Sequence, residues 1–300
     1  MPATTTTAAT LHDGHTIALE IHGAGPTVLL PVDPRPAEGP RAEEARRWGM
    51  DPALGRSLIE GLRDRFRVVA FDYEGHVMAA PKPDTLTPHN VAADLLAVAD
   101  AAAADRFAYY GYSWLALSGL QLALRTDRLS ALVMGGFPPI GGPYSEMLRV
   151  TTAAHEMSVK TPAPTPSTPG SAPQPAGNAD ATDDPEGCDW SAVEVSTTPE
   201  QTRQFVTLYQ ALRGFDDRAA QAGVDCPRLC FAGSADEIPY GERWGGVTVR
   251  IGSAVMERRA ELEAAGWDVR VLEGLDHTQA MQPANVLHVL RPWLASQLGS

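Results

Sequence analysis

Tyr109-Tyr110-Gly111-Tyr112-Ser113-Trp114-Leu115-Ala116 decides the fold. The apolar run Phe107 to Tyr112 reads as a strand, and within one residue a helical segment begins at Ser113 and continues to about Arg125. A strand that passes directly into a helix is the unit of a layered α/β sheet. The residue at the junction is a serine. A serine hydroxyl is a poor nucleophile at its free pKa; it needs exposure, a base in hydrogen-bond reach and donors for a developing oxyanion. A sharp strand–Ser–helix turn supplies exposure and aims the backbone N–H of the next residue, Trp114, at the oxyanion position. Gly111 keeps the turn uncrowded. Taken by itself, Ser113 also fits the plainer role of a helix N-cap.

Working outward, the same alternation recurs. Upstream, Leu11-His12-Asp13-Gly14-His15 is an Asp-Gly turn whose second strand is Thr16 to Ile21. Thr27 to Leu30 and Phe66 to Phe71 read as strands buried on both faces. Helices are predicted over Arg41 to Arg47, from Asp51-Pro52 through Leu62, and from Thr87-Pro88, while Asp72 to His76 reads as a loop. Downstream, Leu129 to Met134, Arg228 to Ala232 and Asp268 to Leu272 are predicted strands; Ser253 to Ala265 and Pro283 to Ser296 are predicted helices. The expected architecture is α/β: eight strands in one mostly parallel sheet with helices on both faces. Residues 1–137 and 220–300 form the expected core. Residues 138–219 interrupt the pattern with helical stretches Tyr144 to Met157 and Pro199 to Leu212, an expected helical cap over the strand C-terminal ends, where open α/β sheets keep ligands. Within the cap, Thr161 to Gly187 holds seven prolines among Ser, Thr, Ala and Gly and reads as flexible.

Composition narrows the partners. The 300 residues are 44% hydrophobic, ample for a full core, and carry 24 basic against 37 acidic groups, a net charge of −13. That balance disfavours nucleic acid and an anionic membrane surface. No apolar run is long enough to span a membrane, and Met1 to Thr10 lacks the features of a secretory signal, so a cytoplasmic location is expected. Cys188, Cys226 and Cys230 are too few for a disulfide framework, and no cluster suggests a metal. Neither metal nor cofactor is expected, and nothing in the sequence sets the oligomeric state.

Two further loops complete a constellation with Ser113. The strand Arg228 to Ala232 ends in Gly233-Ser234-Ala235-Asp236-Glu237, and the last strand ends in Gly274-Leu275-Asp276-His277-Thr278. A serine, an acid and a histidine therefore follow three different strands, at one edge of the sheet, in the chain order Ser, Asp, His.

With these residues in place, the sequence resembles the α/β-hydrolase superfamily over nearly its whole length, the proline-rich part of the cap excepted. The resemblance implies Ser113 as nucleophile, His277 as general base and acid, and Asp236 as the carboxylate that orients the imidazole; Glu237 and Asp276 are competitors for the acid. It implies acyl transfer to water from esters, lactones, thioesters or amides, since relatives acting on haloalkanes and epoxides carry Asp at the elbow. The strings Asp72 to His76, Gly111 to Leu115 and Gly135-Gly136-Phe137-Pro138-Pro139 are similar to a subgroup that includes esterases opening macrolide antibiotics. The acidic surface and the cap run Asp180, Asp183, Asp184, Glu186, Asp189 suit a cationic substrate. A thioesterase, an amidase, a cofactor-free peroxidase and a non-catalytic binding relative are the competing readings.

Three departures from that pattern single out further residues. Leu115 stands where the second Gly of Gly-x-Ser-x-Gly would be, so the elbow must pack differently. Pro31-Val32-Asp33-Pro34 replaces the usual His-Gly, leaving Val32 or Asp33 as second oxyanion donor, with Asp33 favoured by position and its carboxylate required to point away. Glu74, in the altered loop, is an ion-pair partner or faces the pocket. Trp114, Phe137 and His155 are further candidates to line the substrate site.

Overall fold

The computed structural model describes residues 4–160 and 197–299. The expectations for the proline-rich segment, the acid-rich cap run and Cys188 lie outside the described residues.

The hairpin predicted around the Asp-Gly turn opens the fold. β1 (Thr5–Thr10) pairs antiparallel with β2 (Thr16–His22), in a register that sets Thr10 opposite Thr16 and Thr5 opposite Ile21. Strand and helix then alternate through β3 (Thr27–Leu30), α1 (Gly39–Arg47), α2 (Leu54–Leu62), β4 (Arg67–Ala70), α3 (Tyr73–Ala79), α4 (Pro88–Ala101), β5 (Phe107–Tyr112), α5 (Trp114–Ala123) and β6 (Leu129–Gly135). α6 (Tyr144–Lys160), α7 (Pro199–Ala211) and α8 (Asp217–Ala220) follow before β7 (Arg228–Gly233). After it come β8 (Glu237–Tyr240), β9 (Val247–Arg250), α9 (Gly252–Glu257), α10 (Arg259–Ala264), β10 (Trp267–Leu272), α11 (His277–Ala280) and α12 (Pro283–Leu298). The main sheet has eight strands in the order β1-β2-β4-β3-β5-β6-β7-β10. From β4 onward every pairing along that order is parallel.

Both faces of the sheet are covered because successive residues of its central strands are apolar and point to opposite sides. Val28, Val68, Ala108, Tyr110, Val133 and Phe231 join one core with α2 and α12. Their sequence neighbours Leu29, Val69, Tyr109, Leu132 and Cys230 join the other, with α4, α5, α9 and α10. No helix among the described residues is long and apolar enough to cross a membrane.

Three local readings are corrected. Asp72 to His76 is not a loop: Asp72 caps α3, its carboxylate accepting the Gly75 N–H at 2.8 Å, and the helix is too short to show a periodic pattern. The helix predicted over Ser253 to Ala265 is two, broken at Arg258 (φ −104°, ψ 13°). β8 and β9 form a separate antiparallel hairpin that the sequence reading did not anticipate.

α6 and α7 pack against each other as a helical cap inserted between β6 and β7. The cap is tied down through α3. Pro81, four residues beyond Val77, has no N–H to give to the Val77 carbonyl, so the last turn of α3 leaves acceptors open. α7 fills them. Gln204 Nε2 donates to the Val77 carbonyl at 3.0 Å and Gln201 Nε2 to that of Met78 at 2.7 Å. The Lys82 N–H in turn donates to Gln204 Oε1 at 3.1 Å.

Candidate active site

Ser113 sits between β5 and α5 with φ 55° and ψ −129°. That conformation costs a non-glycine residue about 1–3 kcal/mol and persists only where the surroundings enforce it. Here the Ser113 N–H donates to the Gly135 carbonyl at 2.8 Å, and its own carbonyl accepts from Ala116 and Leu117 in the first turn of α5. The elbow has little space inside. A Cβ on Gly111 would lie 2.3 Å from the Leu115 carbonyl oxygen, so glycine is obligatory there. The close approach that a glycine at position 115 would give is provided one turn later: a Cβ on Gly119 would lie 2.6 Å from the Tyr109 ring. Leu115 itself is buried in the core, and its carbonyl accepts from the Tyr109 hydroxyl at 2.8 Å.

His277 opens α11, and the two Asp236 oxygens lie 2.9 and 3.1 Å from its Nδ1. Asp236 is completely buried. Burial pushes its carboxyl above the ordinary range, and the adjoining imidazole pulls it partly back. The competing acids are engaged elsewhere. Asp276 is the N-cap of α11, accepting the Gln279 N–H at 2.7 Å, and Glu237 accepts the Ser253 N–H at 3.1 Å. Tyr112 braces the histidine from β5, its hydroxyl donating to the His277 carbonyl at 2.7 Å and its ring centroid 5.0 Å from the imidazole.

Ser113 and His277 are shared by two cavities. The larger, about 510 Å³, is also walled by Asp33, Asp72, Glu74 and Trp114. The smaller, about 160 Å³, is apolar and walled by Phe137, Met147 and Tyr209 with Ile238, Tyr240 and Val249 of the β8–β9 hairpin. The structure thus brings together Ser113, His277, Asp236, Trp114, Asp33, Glu74 and Phe137. His155 is elsewhere: its Nδ1 lies 3.1 Å from Thr202 Oγ1 on the α6–α7 contact, and it lines neither cavity. The hairpin residues were missed; Val247-Thr248-Val249 has strand alternation, the one signal that was available.

In the loop after β3, the Val32 N–H is consumed by the Leu30 carbonyl at 2.9 Å. The Asp33 N–H has no acceptor among the described residues. The Asp33 carboxylate turns to Arg35, accepting its N–H at 3.0 Å and its Nε–H at 3.1 Å. Gly55 of α2 lets the helix close on this loop, since a Cβ there would lie 1.9 Å from the Asp33 carbonyl oxygen.

Asp72 and Glu74 are both held above the ordinary carboxyl range. For each the surrounding protein is the main cause; Asp33 adds to the shift of Asp72, and Asp72 to that of Glu74. Glu74 is exposed, and it lines the cavity wall. It forms no ion pair among the described residues; the charged group that acts on it is Asp72, and the Trp114 indole lies beside it.

This architecture is the α/β-hydrolase fold. It is shared along nearly the whole chain by a hydrolase from Pseudomonas aeruginosa (18% identity, 98% of each chain, TM-score 0.57). A thermophilic esterase from Thermogutta terrifontis shares it at 17% identity (98% of this chain and 99% of that one, TM-score 0.55). So does epoxide hydrolase A from Mycobacterium thermoresistibile, at 18% identity (97% and 98%, TM-score 0.55). No family model matches the chain, and no curated protein matches it.

Proposed function

We propose that this chain is a serine-dependent hydrolase of carboxylic esters or lactones. The observation that carries the reading is a serine held at a strained strand–helix elbow, facing the same two cavities as a histidine whose far nitrogen is fixed by a buried carboxylate. In the reaction Ser113 Oγ attacks the carbonyl carbon while His277 Nε2 takes the hydroxyl proton. Asp236 holds the ring with Nδ1 protonated and stabilises the imidazolium that forms. The developing oxyanion is met by the N–H of Trp114, at the open N-terminus of α5, and by the unengaged N–H of Asp33. His277 returns its proton to the departing alcohol, then activates water to release the acid and restore Ser113.

The nucleophile's chemistry favours acyl substrates over epoxides. An epoxide carbon attacked by Ser113 would leave an alkyl ether on the enzyme that water does not cleave, whereas an acyl-serine is an ester that it does. Macrolactones enter as the substrate class to test through the sequence likeness to macrolide-opening esterases.

The test is hydrolysis of a short-chain p-nitrophenyl ester by wild type and Ser113→Ala, with macrolides of several ring sizes followed by mass. Wild-type turnover that collapses by on the order of 10⁶ in kcat in Ser113→Ala is the expected result. A mass gain of one water on a macrolide extends the reading to macrolactones; ester turnover without it discards that extension. Equal turnover by both proteins removes Ser113 from its role.

A further inference from the structure

The smaller cavity reaches Ser113 and His277, and among the described residues no Lys, Arg, Asp or Glu side chain lines it. Phe137, Met147, Ile238 and Val249 supply apolar wall. Apart from Ser113 and His277, the hydroxyl groups on that wall belong to Tyr209, on α7, and Tyr240, at the end of β8. The cavity has a volume of about 160 Å³. At a water molecule's share of roughly 30 Å³, that is room for about five non-hydrogen atoms.

The second observation concerns those two hydroxyls. Tyr209 is 2% exposed, yet neither its hydroxyl nor that of Tyr240 has a hydrogen-bond partner among the described residues. A tyrosine so buried ordinarily finds a partner for its O–H, because taking the group out of water without one is costly. Burial pushes the Tyr209 phenol up, and Tyr240 adds to the shift; burial and then Asp236 push Tyr240 up. The two hydroxyls therefore lie near each other, on the side of Asp236, without bonding to each other. Tyr209 also borders a separate cavity walled by Tyr144, Leu148 and Phe215, but Tyr240 does not, so the neighbour that acts on the Tyr209 hydroxyl belongs to the smaller cavity. Each phenol O–H needs an acceptor. A charged group would be stranded on this wall, and a plain alkyl chain would fill the space while leaving both donors unmet. A short chain with one neutral acceptor oxygen meets both requirements.

We propose that the smaller cavity is a subsite for a compact, neutral substituent of the ester that carries an acceptor oxygen, such as an ether or a ketone, and that Tyr209 and Tyr240 donate their hydroxyl hydrogens to that oxygen. This deepens the hydrolase reading and rests on it for the reaction. The two can be tested apart.

The turnover arm compares p-nitrophenyl 3-methoxypropanoate with its isostere, p-nitrophenyl pentanoate. A second pair, 3-methoxypropyl acetate and pentyl acetate, places the ether oxygen on the alcohol. Each kcat/KM is divided by the rate of the same ester with hydroxide, which removes its intrinsic reactivity. The ether-to-alkyl ratio is then read in wild type, Tyr209→Phe and Tyr240→Phe, which keep the rings and lose only the hydroxyls. A loss common to both esters of a pair drops out of the ratio. In one of the pairs the expected ratio is about threefold to tenfold lower in each variant than in wild type, the range of one neutral hydrogen bond. The binding arm titrates methyl propyl ether into the same three proteins, followed by NMR, and needs no turnover. The expected affinity loss in each variant is again about threefold or more.

Ester turnover with a ratio that neither variant moves, in both pairs, overturns this proposal and leaves the hydrolase standing. Where no ester is turned over, the hydrolase falls and the binding arm decides the subsite. Ether binding weakened in the variants keeps it. Binding unchanged by both substitutions, or no binding to any of the three proteins, overturns it.

Discussion

At the residue scale, the Asp236 carboxylate meets only one hydrogen-bonding group among the described residues, the imidazole of His277. Its burial cost is therefore only partly repaid locally, which is why its carboxyl lies above the ordinary range. The sign follows from linkage. Above the unfolded pKa the unfolded chain has already released this proton while the folded chain still holds it, so rising pH destabilises the fold through this group until the folded pKa is passed. Asp236→Asn removes that loss but leaves the imidazole in the wrong tautomer. The expected outcome is a fall in kcat on the order of 10⁴. In the same protein the melting temperature at about pH 8 is no lower than that of wild type, and any advantage fades on acidification below the ordinary Asp range. Esterase assays and thermal melts on one sample check both. That Ser113, Asp236 and His277 would be brought to one place was legible in the sequence because each stands just beyond the end of a strand. Glu74 was not, because pairing and facing the pocket look identical until the fold shows which side chains line the cavity with it.

At the element scale, the second oxyanion donor of the proposed reaction is set by the loop after β3. Val32 and Asp33 are indistinguishable by spacing; one hydrogen bond, from Val32 to the Leu30 carbonyl, leaves Asp33 with the free N–H. Asp33→Pro deletes that donor and is expected to lower kcat about 10²–10³-fold. Asp33→Ala keeps the donor and loses only the contact with Arg35, so its cost is far smaller. Equal losses in the two variants would assign the effect to the side chain and remove Asp33 from the oxyanion hole. α5 carries a related constraint. The substitution of Leu115 for the expected glycine is accommodated because Gly119, one turn on, gives the Tyr109 ring its space. Gly119→Ala is therefore expected to cost about 1–3 kcal/mol of stability in urea denaturation, despite the helix propensity gained. The β8–β9 hairpin escaped the sequence reading for a physical reason. Both strands are four residues long, one contains Pro239, and what fixes them is packing against the cap, which local pattern does not encode.

At the scale of the whole molecule, the alternation of strand and helix was readable from end to end, while the seating of the cap was not. Nothing in Gln201-Thr202-Arg203-Gln204 announces that two glutamines serve the end of another helix more than a hundred residues earlier. The requirement is nevertheless written at that end. Pro81 and Pro83 stop α3, and the Val77 and Met78 carbonyls need donors that, among the described residues, α7 of the cap provides. α3 also carries Glu74 at its start, so the clamp that seats α7 sets one wall of the larger cavity. Gln204→Leu keeps the volume but strands two buried backbone groups, the Val77 carbonyl and the Lys82 N–H. The expected destabilisation is about 1–3 kcal/mol for the unmet groups. Because the loss falls on the joint rather than on the sheet, amide exchange should accelerate in α7 and in the last turn of α3 while β5 and β6 stay protected. KM for a large ester should rise more than kcat falls, since Ser113, Asp236 and His277 lie on the core side of the joint. Uniform acceleration of exchange across the sheet would instead show that the cap and core unfold as one unit, and that α7 is part of what holds the α/β core together.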